Sequence, residues 1–264
     1  MSSVAVVVHR DAPLLARAVA ARLITRLVDV QAEYGEASVV LTGGGVGTSV
    51  LAEVAHSPAR EAVDWQRLDV WWGDERYLPP GHEERNETST RAALLDTVAL
   101  DPDRVHPMPA DDGAEAEQAA EAYAAALHAA ARPEGGGRVP AFDVLLLGLG
   151  EDGHVASLFP GMPALDDERA VVAVRDAPKP PPIRLTLTLP TIRTAREVWV
   201  VAAGEGKAEA ARLALGDAAP AQVPAARARG RDRTLWLLDR VAAAAIETAH
   251  FASQPMMGRS SGKR

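Results

Sequence analysis

Short apolar runs rich in β-branched residues alternate with longer, alanine-rich stretches along most of this 264-residue chain. The first run covers residues 4–8, and a helical stretch over residues 14–34 follows it. Runs that are apolar throughout, rather than at every second position, are typical of strands buried on both faces. Because helical stretches separate these strands, the pattern predicts parallel crossovers. It therefore predicts an α/β protein with three α/β/α layers and a mostly parallel, doubly wound sheet.

The remaining predicted elements extend the same pattern. Further strands are predicted at residues 38–41, 68–72, 142–147, 171–174, 183–187, 198–202 and 234–238, and they are assigned to the same sheet. Further helices are predicted at residues 46–55, 87–95, 114–131, 205–215 and 240–248. Neither an internal repeat nor a shift in composition divides the chain, so residues 1–256 are predicted to form a single α/β/α domain. The polar, basic segment 257–264 is expected to be a disordered tail.

The charge and cysteine content exclude several classes of partner and chemistry. The chain has 28 Lys+Arg against 36 Asp+Glu, and the net charge of −8 disfavours binding to nucleic acid or to an anionic membrane surface. No apolar stretch is long enough for a membrane-spanning helix or a signal peptide, so a cytoplasmic protein is expected. Without cysteine, the chain has no disulfide, no thiolate nucleophile and no thiolate metal site. An anionic ligand would have to be attracted by local positive groups.

Ligands of open parallel sheets bind beyond the carboxyl ends of the strands, so the sequences that follow three predicted strands are candidate sites. The first is a glycine-rich turn, Gly43, Gly44 and Gly45, which together with Thr48 leads into a predicted helix. Such a turn exposes backbone N–H groups at the positive end of a helix and favours phosphate. A tight turn that only packs against the sheet is the alternative. Neither a Walker A lysine nor the full dinucleotide fingerprint is present.

The second strand end carries Asp74, Glu75 and Arg76. Arg76 is a planar donor suited to phosphate or carboxylate, and Asp74 is an acceptor for sugar hydroxyls or a proton-handling group. A solvated turn with an internal ion pair is the alternative interpretation.

The third strand end carries Asp152, Gly153 and His154 in a glycine-rich loop, with Ser157 three residues further on. An imidazole that titrates near neutrality and is oriented by a carboxylate is suited to general-base catalysis. A metal site is not favoured, because no second histidine or carboxylate cluster lies at ligand spacing. Ser157 is a conceivable nucleophile in a triad with Asp152 and His154, although the Gly-x-Ser-x-Gly motif is absent.

Two basic residues stand out against the acidic total. Arg184 opens a predicted strand after a proline run, and Lys207 lies in a strand-to-helix turn where its ammonium and the helix amides can share an anion. For each of them, a solvated surface charge is the alternative.

In chain order, these motifs resemble those of the 6-phosphogluconolactonases, over nearly the whole chain. The resemblance is carried by the glycine turn, by Trp72 and the Asp-Glu-Arg that follows Gly73, by the stretch 147–160, and by the short motifs around Arg184 and Lys207. It implies hydrolysis of 6-phospho-D-glucono-1,5-lactone to 6-phosphogluconate, the second step of the oxidative pentose phosphate pathway. It also implies the fold shared with glucosamine-6-phosphate deaminases and ribose-5-phosphate isomerases.

The resemblance assigns expected roles to the candidate residues. The catalytic residues are expected to be His154, Asp152 and Asp74. The residues expected to bind substrate or phosphate are Gly43, Gly44, Gly45, Thr48, Arg76, Arg184 and Lys207, and those in supporting roles are Asn86, Gly153 and Ser157. No cofactor and no metal is expected. The expected partner is a small-molecule sugar-phosphate lactone, bound by a monomer or small homo-oligomer.

Two alternatives remain at this stage. The related deaminases carry a glutamate five residues after the histidine, where this chain has Phe159, so the sequence favours the lactonase. A catalytically silent sugar-phosphate sensor on the same scaffold is the other alternative. The chain also has Arg85-Asn86 where the lactonases commonly have Ser-Asn.

Overall fold

A central parallel sheet of seven strands dominates the computed structural model of the chain, which describes residues 3–131, 139–216 and 223–252, and the side chains as far as residue 246. Over these ranges the strands are β1 (Ser3–His9), β2 (Ala37–Leu41), β3 (Leu68–Trp72), β4 (Asp74–Arg76), β5 (Val105–His106), β6 (Val144–Gly148), β7 (Val171–Val174), β8 (Arg184–Leu187), β9 (Glu197–Ala202) and β10 (Arg233–Asp239). The helices are α1 (Ala12–Tyr34), α2 (Gly44–His56), α3 (Asn86–Ala93), α4 (Ala116–Ala129), α5 (Leu189–Ile192), α6 (Ala208–Leu215), α7 (Pro224–Arg227) and α8 (Arg240–Ala252).

The strand order of the central sheet is β1-β10-β9-β6-β2-β3-β5, and every neighbouring pair is parallel. Helices lie between these strands along the chain, which confirms the predicted three-layer α/β/α fold. The long first helix shows why the local sequence folds this way. The Asp11 carboxylate accepts a hydrogen bond from the Leu14 N–H at 2.9 Å, and the helix ends at Gly35 in the left-handed region (φ 82°). The apolar residues that recur at helical spacing along one face of this helix are buried, namely Leu15, Val19, Leu23 and Leu27.

The assignment of all the predicted strands to one sheet was wrong. Strands β7 and β8 instead form an antiparallel three-stranded sheet with β4, in the order β4-β8-β7. The physical reason is the connection 175–183, which contains no helix, whereas a parallel crossover needs about a dozen or more residues and usually a helix. Strands β4 and β5 were not predicted, because three and two residues are too few to show a periodicity.

The two sheets meet at Gly73, between β3 and β4. Its N–H donates to the Leu41 carbonyl of the central sheet at 3.0 Å, and its carbonyl accepts from the Leu187 N–H of the small sheet at 2.9 Å. This junction brings the small sheet beside the carboxyl ends of β2, β3, β6 and β9.

The predictions of a C-terminal tail and of a single domain are not tested by the structure. The tail 257–264 lies outside the described residues, and a single domain over residues 1–256 stays a prediction. None of the helices in the described ranges is both long and apolar enough to span a membrane.

Candidate active site

A cavity of about 360 Å³ lies at the carboxyl ends of β2, β6 and β9, where the small sheet meets the central one. It brings together most of the residues singled out in the sequence, namely Gly43, Gly44, Gly45, Asp74, Arg76, Asn86, His154, Arg184 and Lys207. These residues come from six separate segments of the chain. The cavity is therefore the candidate active site.

His154 is held against Asp152 in the loop that follows β6. Its Nδ1 lies 2.5 Å from Asp152 Oδ1, and its side chain is 17% exposed against 34% for Asp152. The loop is closed by the Gly150 N–H, which donates to the His154 carbonyl at 2.8 Å. A Cβ at Gly150 would overlap both the His154 ring and the Asp152 carboxylate, so the pair can form only if this position is glycine. With Nδ1–H donating to Asp152, Nε2 is left as the nitrogen with a free lone pair.

Burial lowers the pKa of the His154 imidazole below its ordinary value. The hydrogen bond and charge of Asp152 and the charge of Asp74 oppose this effect, and the ammonium of Lys179 adds to it. For the Asp152 carboxyl, burial would raise the pKa, but the contact with His154 and the charge of Lys179 hold it below the ordinary value. The imidazole is therefore neutral, and the carboxylate ionised, at neutral pH.

The Phe159 ring lies against this pair. It is 1% exposed, its centroid is 4.5 Å from that of His154, and the Arg184 guanidinium lies 5.7 Å from its centroid. An apolar ring therefore occupies the place beside the histidine and contributes to its desolvation.

Asp74, which also lines the cavity, is the centre of a buried hydrogen-bond cluster. Its Oδ2 accepts from the Ser157 hydroxyl at 2.7 Å, and its Oδ1 accepts from Asn86 Nδ2 at 3.3 Å. Ser157 is fully buried, and its hydroxyl is directed to Asp74 rather than to His154. The geometry thus makes Ser157 a support for Asp74. A Cβ at Gly43 would overlap the Asn86 side chain, so Asn86 joins the glycine turn to this cluster.

Glu75 and Arg85 form a buried scaffold under the cavity that sequence reasoning did not find. The Glu75 carboxylate accepts from three backbone N–H groups, those of Arg76, Asn86 and Glu87, at 2.6–2.9 Å, and lies 3.7 Å from Arg85 Nη2. Burial raises the pKa of Glu75 in spite of these donors. Arg85 points away from the cavity, to the Met108 carbonyl at 2.8 Å. The departure Arg85-Asn86 therefore leaves Asn86 in the cavity. Glu75 was noted in the sequence only as part of the Asp-Glu-Arg motif, which does not reveal that its carboxylate is buried.

The three basic residues that line the cavity differ in how far they are already bonded. Arg76 Nη1 donates to the Glu84 carbonyl at 2.6 Å, and its Nε is buried without a partner in the described part of the chain. Arg184 donates from Nε and Nη2 to backbone carbonyls of the loop 175–183. Lys207 Nζ lies 3.9 Å from Glu151 Oε1, in a pair whose glutamate is 65% exposed. Lys207 is thus the most weakly bound of the three.

Four of the candidate residues do not line the cavity themselves: Asp152 and Ser157, which contact His154 and Asp74 as described above, and Thr48 and Gly153. Thr48 lies in an adjoining surface groove that shares Gly44, Gly45 and Arg76 with it. Gly153 is in the turn behind His154, where its N–H donates to the Gly150 carbonyl at 3.1 Å. Within the described ranges, no group of three or more metal-ligating side chains is arranged to hold a metal ion.

A second cavity, of about 610 Å³, lies at the opposite ends of β2, β3, β6 and β9. Its charged side chains are bonded to one another: Arg104 pairs with Glu36 and Asp69 at 2.8–2.9 Å, and Arg196 lies 3.6 Å from Asp143. It contains none of the sequence motifs. The smaller cavity is therefore the better candidate for the active site.

A family model described as glucosamine-6-phosphate isomerases/6-phosphogluconolactonase matches residues 10–236 of the chain. The chain belongs to this family. Among curated members, the 6-phosphogluconolactonase of Streptomyces coelicolor is 60% identical over 91% of this chain and 94% of its own. The 6-phosphogluconolactonase of Mycobacterium tuberculosis is 48% identical over 89% of this chain and 96% of its own.

Solved structures of this family share the fold. The 6-phosphogluconolactonase of Trypanosoma brucei superposes with a TM-score of 0.80 at 30% identity, covering 92% of this chain and 99% of its own. A monomeric glucosamine-6-phosphate deaminase superposes with a TM-score of 0.75 at 20% identity, covering 93% of this chain and all of its own. At that identity the deaminase shows the shared fold alone.

Proposed function

We propose that this chain hydrolyses 6-phospho-D-glucono-1,5-lactone to 6-phosphogluconate, the second step of the oxidative pentose phosphate pathway, with His154 as the general base. The observation that carries the proposal is the His154–Asp152 pair, joined at 2.5 Å at the wall of a cavity lined by cationic side chains. Family members at 60% and 48% identity that are named 6-phosphogluconolactonase support the choice of substrate.

The mechanism follows from which histidine nitrogen is free. With Nδ1–H donating to Asp152, Nε2 takes a proton from a water molecule as the water oxygen attacks the lactone carbonyl at C1. The tetrahedral intermediate collapses by breaking the bond between C1 and the ring oxygen. The imidazolium returns its proton to that oxygen, which becomes a hydroxyl. C1 becomes a carboxylic acid, which releases the second proton of the water to solvent and leaves the carboxylate of the product. Asp152 stabilises the imidazolium while it exists.

Phosphate is proposed to lie against the cationic lining of the cavity. Lys207, Arg76 and the amides that begin α2 at Gly44 supply positive charge there. Binding energy from the phosphate then holds the lactone in register with His154, so that it serves orientation as well as affinity.

Asp74 is proposed to receive a sugar hydroxyl rather than to act as the base. It has one hydroxyl and one amide donor already bonded, and it lines the same cavity as His154. The protein is further proposed to work in the cytoplasm, as a monomer or a small homo-oligomer, without metal or cofactor.

The decisive experiment offers the purified protein two substrates. Freshly prepared 6-phosphogluconolactone is followed by acid release, and glucosamine 6-phosphate is followed by ammonia release. Acid release above the spontaneous rate, without ammonia, is expected, because Phe159 supplies no proton-transferring group beside His154. Ammonia release would make the protein a deaminase, and neither product would leave a sugar-phosphate sensor.

A further inference from the structure

A buried carboxylate, that of Asp239, lies at the same edge of the central sheet as the candidate active site without lining its cavity. Asp239 is the last residue of β10 and is 4% exposed. Strand β10 pairs with β9 as far as Leu238 and Ala202, so Asp239 lies next to the chain that leaves β9 toward Lys207. A buried charge is costly unless it is bonded, so the partners of Asp239 indicate what it does.

The Asp239 carboxylate accepts hydrogen bonds from two segments of the chain. Its Oδ1 accepts from the Ala242 N–H at 2.8 Å, in the first turn of α8. The Gly204 N–H lies 3.1 Å from the same oxygen and 3.2 Å from Oδ2. Asp239 therefore caps α8 and holds the backbone at Gly204 at the same time.

Gly204 begins the turn that carries Lys207. Its φ of 93° is in the region that favours glycine, and its carbonyl accepts a hydrogen bond from the Lys207 N–H at 3.1 Å. The 3-10 turn Glu205–Lys207 follows at once, and α6 starts directly after it. Because this turn is so short, fixing the Gly204 backbone fixes the place where the Lys207 side chain leaves the chain.

The other side of this turn packs against Glu151, in the loop of the catalytic pair. A Cβ at Gly206 would lie 2.8 Å from Glu151 Oε1, and Lys207 Nζ lies 3.9 Å from the same oxygen. The Glu151 side chain is 65% exposed, so solvent screens its attraction for the ammonium. The buried Asp239 carboxylate is shielded from that screening, and its bond to Gly204 is therefore a firmer constraint on the turn than the Glu151 pair.

We propose that Asp239 is a positioning residue for substrate binding: by holding the Gly204 N–H, it keeps the Lys207 ammonium in the place where it meets the phosphate of the ligand. Asp239 does not touch the ligand. The inference rests on the proposed lactonase function, in which Lys207 binds phosphate. When the bond to Gly204 is lost, the turn has more freedom, and part of the affinity for phosphate goes into ordering it again.

The variant Asp239→Ser separates the two contacts of the carboxylate. Serine is a good N-cap, so it keeps the bond to the first turn of α8, but its single oxygen on a shorter side chain gives up the bond to Gly204. By isothermal titration calorimetry, this variant is expected to bind 6-phosphogluconate about 3- to 10-fold more weakly, the usual contribution of one hydrogen bond. Steady-state kinetics on fresh lactone are expected to show a rise of the same size in KM and little change in kcat, because His154 and Asp152 are untouched.

A double-mutant cycle with Lys207→Met supplies the readout that a merely structural role would not move. If Asp239 acts through Lys207, adding Asp239→Ser to Lys207→Met is expected to weaken 6-phosphogluconate binding further by less than about twofold. A general loss of stability would weaken binding equally in both backgrounds. Asp143→Asn is the matched control: Asp143 is 7% exposed and accepts from the Ser38 N–H at 2.9 Å, at the amino end of β6, and its replacement is expected to leave the affinity unchanged.

The variant Gly204→Ala tests the same turn with Asp239 in place, should Asp239→Ser fail to fold. In the described part of the chain nothing lies within 4 Å of a Cβ at Gly204, so alanine fits there but is strained at this φ. It is expected to weaken 6-phosphogluconate binding in the wild-type background and not in Lys207→Met.

The inference is overturned by equal weakening in both backgrounds, by unchanged affinity in both Asp239→Ser and Gly204→Ala, or by a Lys207→Met protein that binds 6-phosphogluconate as tightly as the wild type. Failure of the proposed function is a different result, namely a wild-type protein that releases no acid from the lactone. The binding measurements do not depend on turnover.

Discussion

Replacing Asp152 by asparagine isolates the electrostatic part of the catalytic pair. Asparagine keeps the size of the side chain and one acceptor oxygen for His154 Nδ1, but it loses the negative charge. A hydrogen bond to a charged group is worth about 1.5–3 kcal/mol. The Asp152 side chain is 34% exposed, so solvent screens it and the lower half of that range applies. A loss of about 2 kcal/mol corresponds to a fall in kcat of roughly 30-fold.

The same substitution has a definite sign in the pH profile. The contact with Asp152 raises the pKa of His154 against the lowering effect of burial, so its removal lets the pKa fall further. His154 acts as a base when it is neutral. The acid limb of kcat/KM in Asp152→Asn is therefore expected to move to lower pH, while the plateau is reduced.

The assay follows acid release from freshly prepared lactone between about pH 5 and about pH 8, the range in which histidine titrates, with the spontaneous rate subtracted. Asp167→Asn is the matched control, because Asp167 pairs with Arg169 at 2.7 Å outside the cavity. An unchanged kcat in Asp152→Asn, or an acid limb that moves to higher pH, would refute the assignment of Asp152 as the partner of the general base.

Three further predictions follow from the same contacts. His154→Ala is expected to lower kcat by about 10²- to 10⁴-fold with little change in KM, and steady-state kinetics that show near-wild-type kcat would remove His154 as the base. Glu151→Gln frees Lys207 from an exposed ion pair and is expected to lower KM for the phosphorylated lactone about twofold; a higher KM would contradict a phosphate role for Lys207. Glu75→Gln leaves buried donors and Arg85 without their carboxylate, so urea denaturation is expected to show a loss of about 3 kcal/mol in the free energy of unfolding, and an unchanged unfolding midpoint would argue against the scaffold.

Much of the fold was accessible from local sequence patterns. The predicted strand 68–72 coincides with β3, and the predicted helix 14–34 lies within α1, because burial on both faces and helical periodicity leave strong local signals. The strand-end motifs were equally visible, since glycine turns after apolar runs mark the edge of a parallel sheet where ligands bind.

The candidate site was accessible only in part. Gly43, Asp74 and His154 were singled out from their motifs, and the structure brings all three to one cavity. The hydrogen bonds from Arg184 to the backbone carbonyls of the loop 175–183 were not predicted, and neither was the position of Thr48 in an adjoining groove. A motif specifies a residue type at a strand end but not the direction of its side chain.

The amino-acid sequence by itself determined the α/β class, the order of most elements and the segments that carry chemistry. The reason is that secondary-structure propensity, hydrophobic periodicity and glycine-rich turns are all properties of residues only a few positions apart along the chain. The tertiary structure decided which side chains bond to one another and which strands pair. Ser157 reaches Asp74 across 83 positions, and β7 and β8 leave the central sheet to pair with β4. Such contacts depend on how distant segments pack together and on which buried polar groups then need a hydrogen-bond partner. Local sequence patterns specify neither of these conditions.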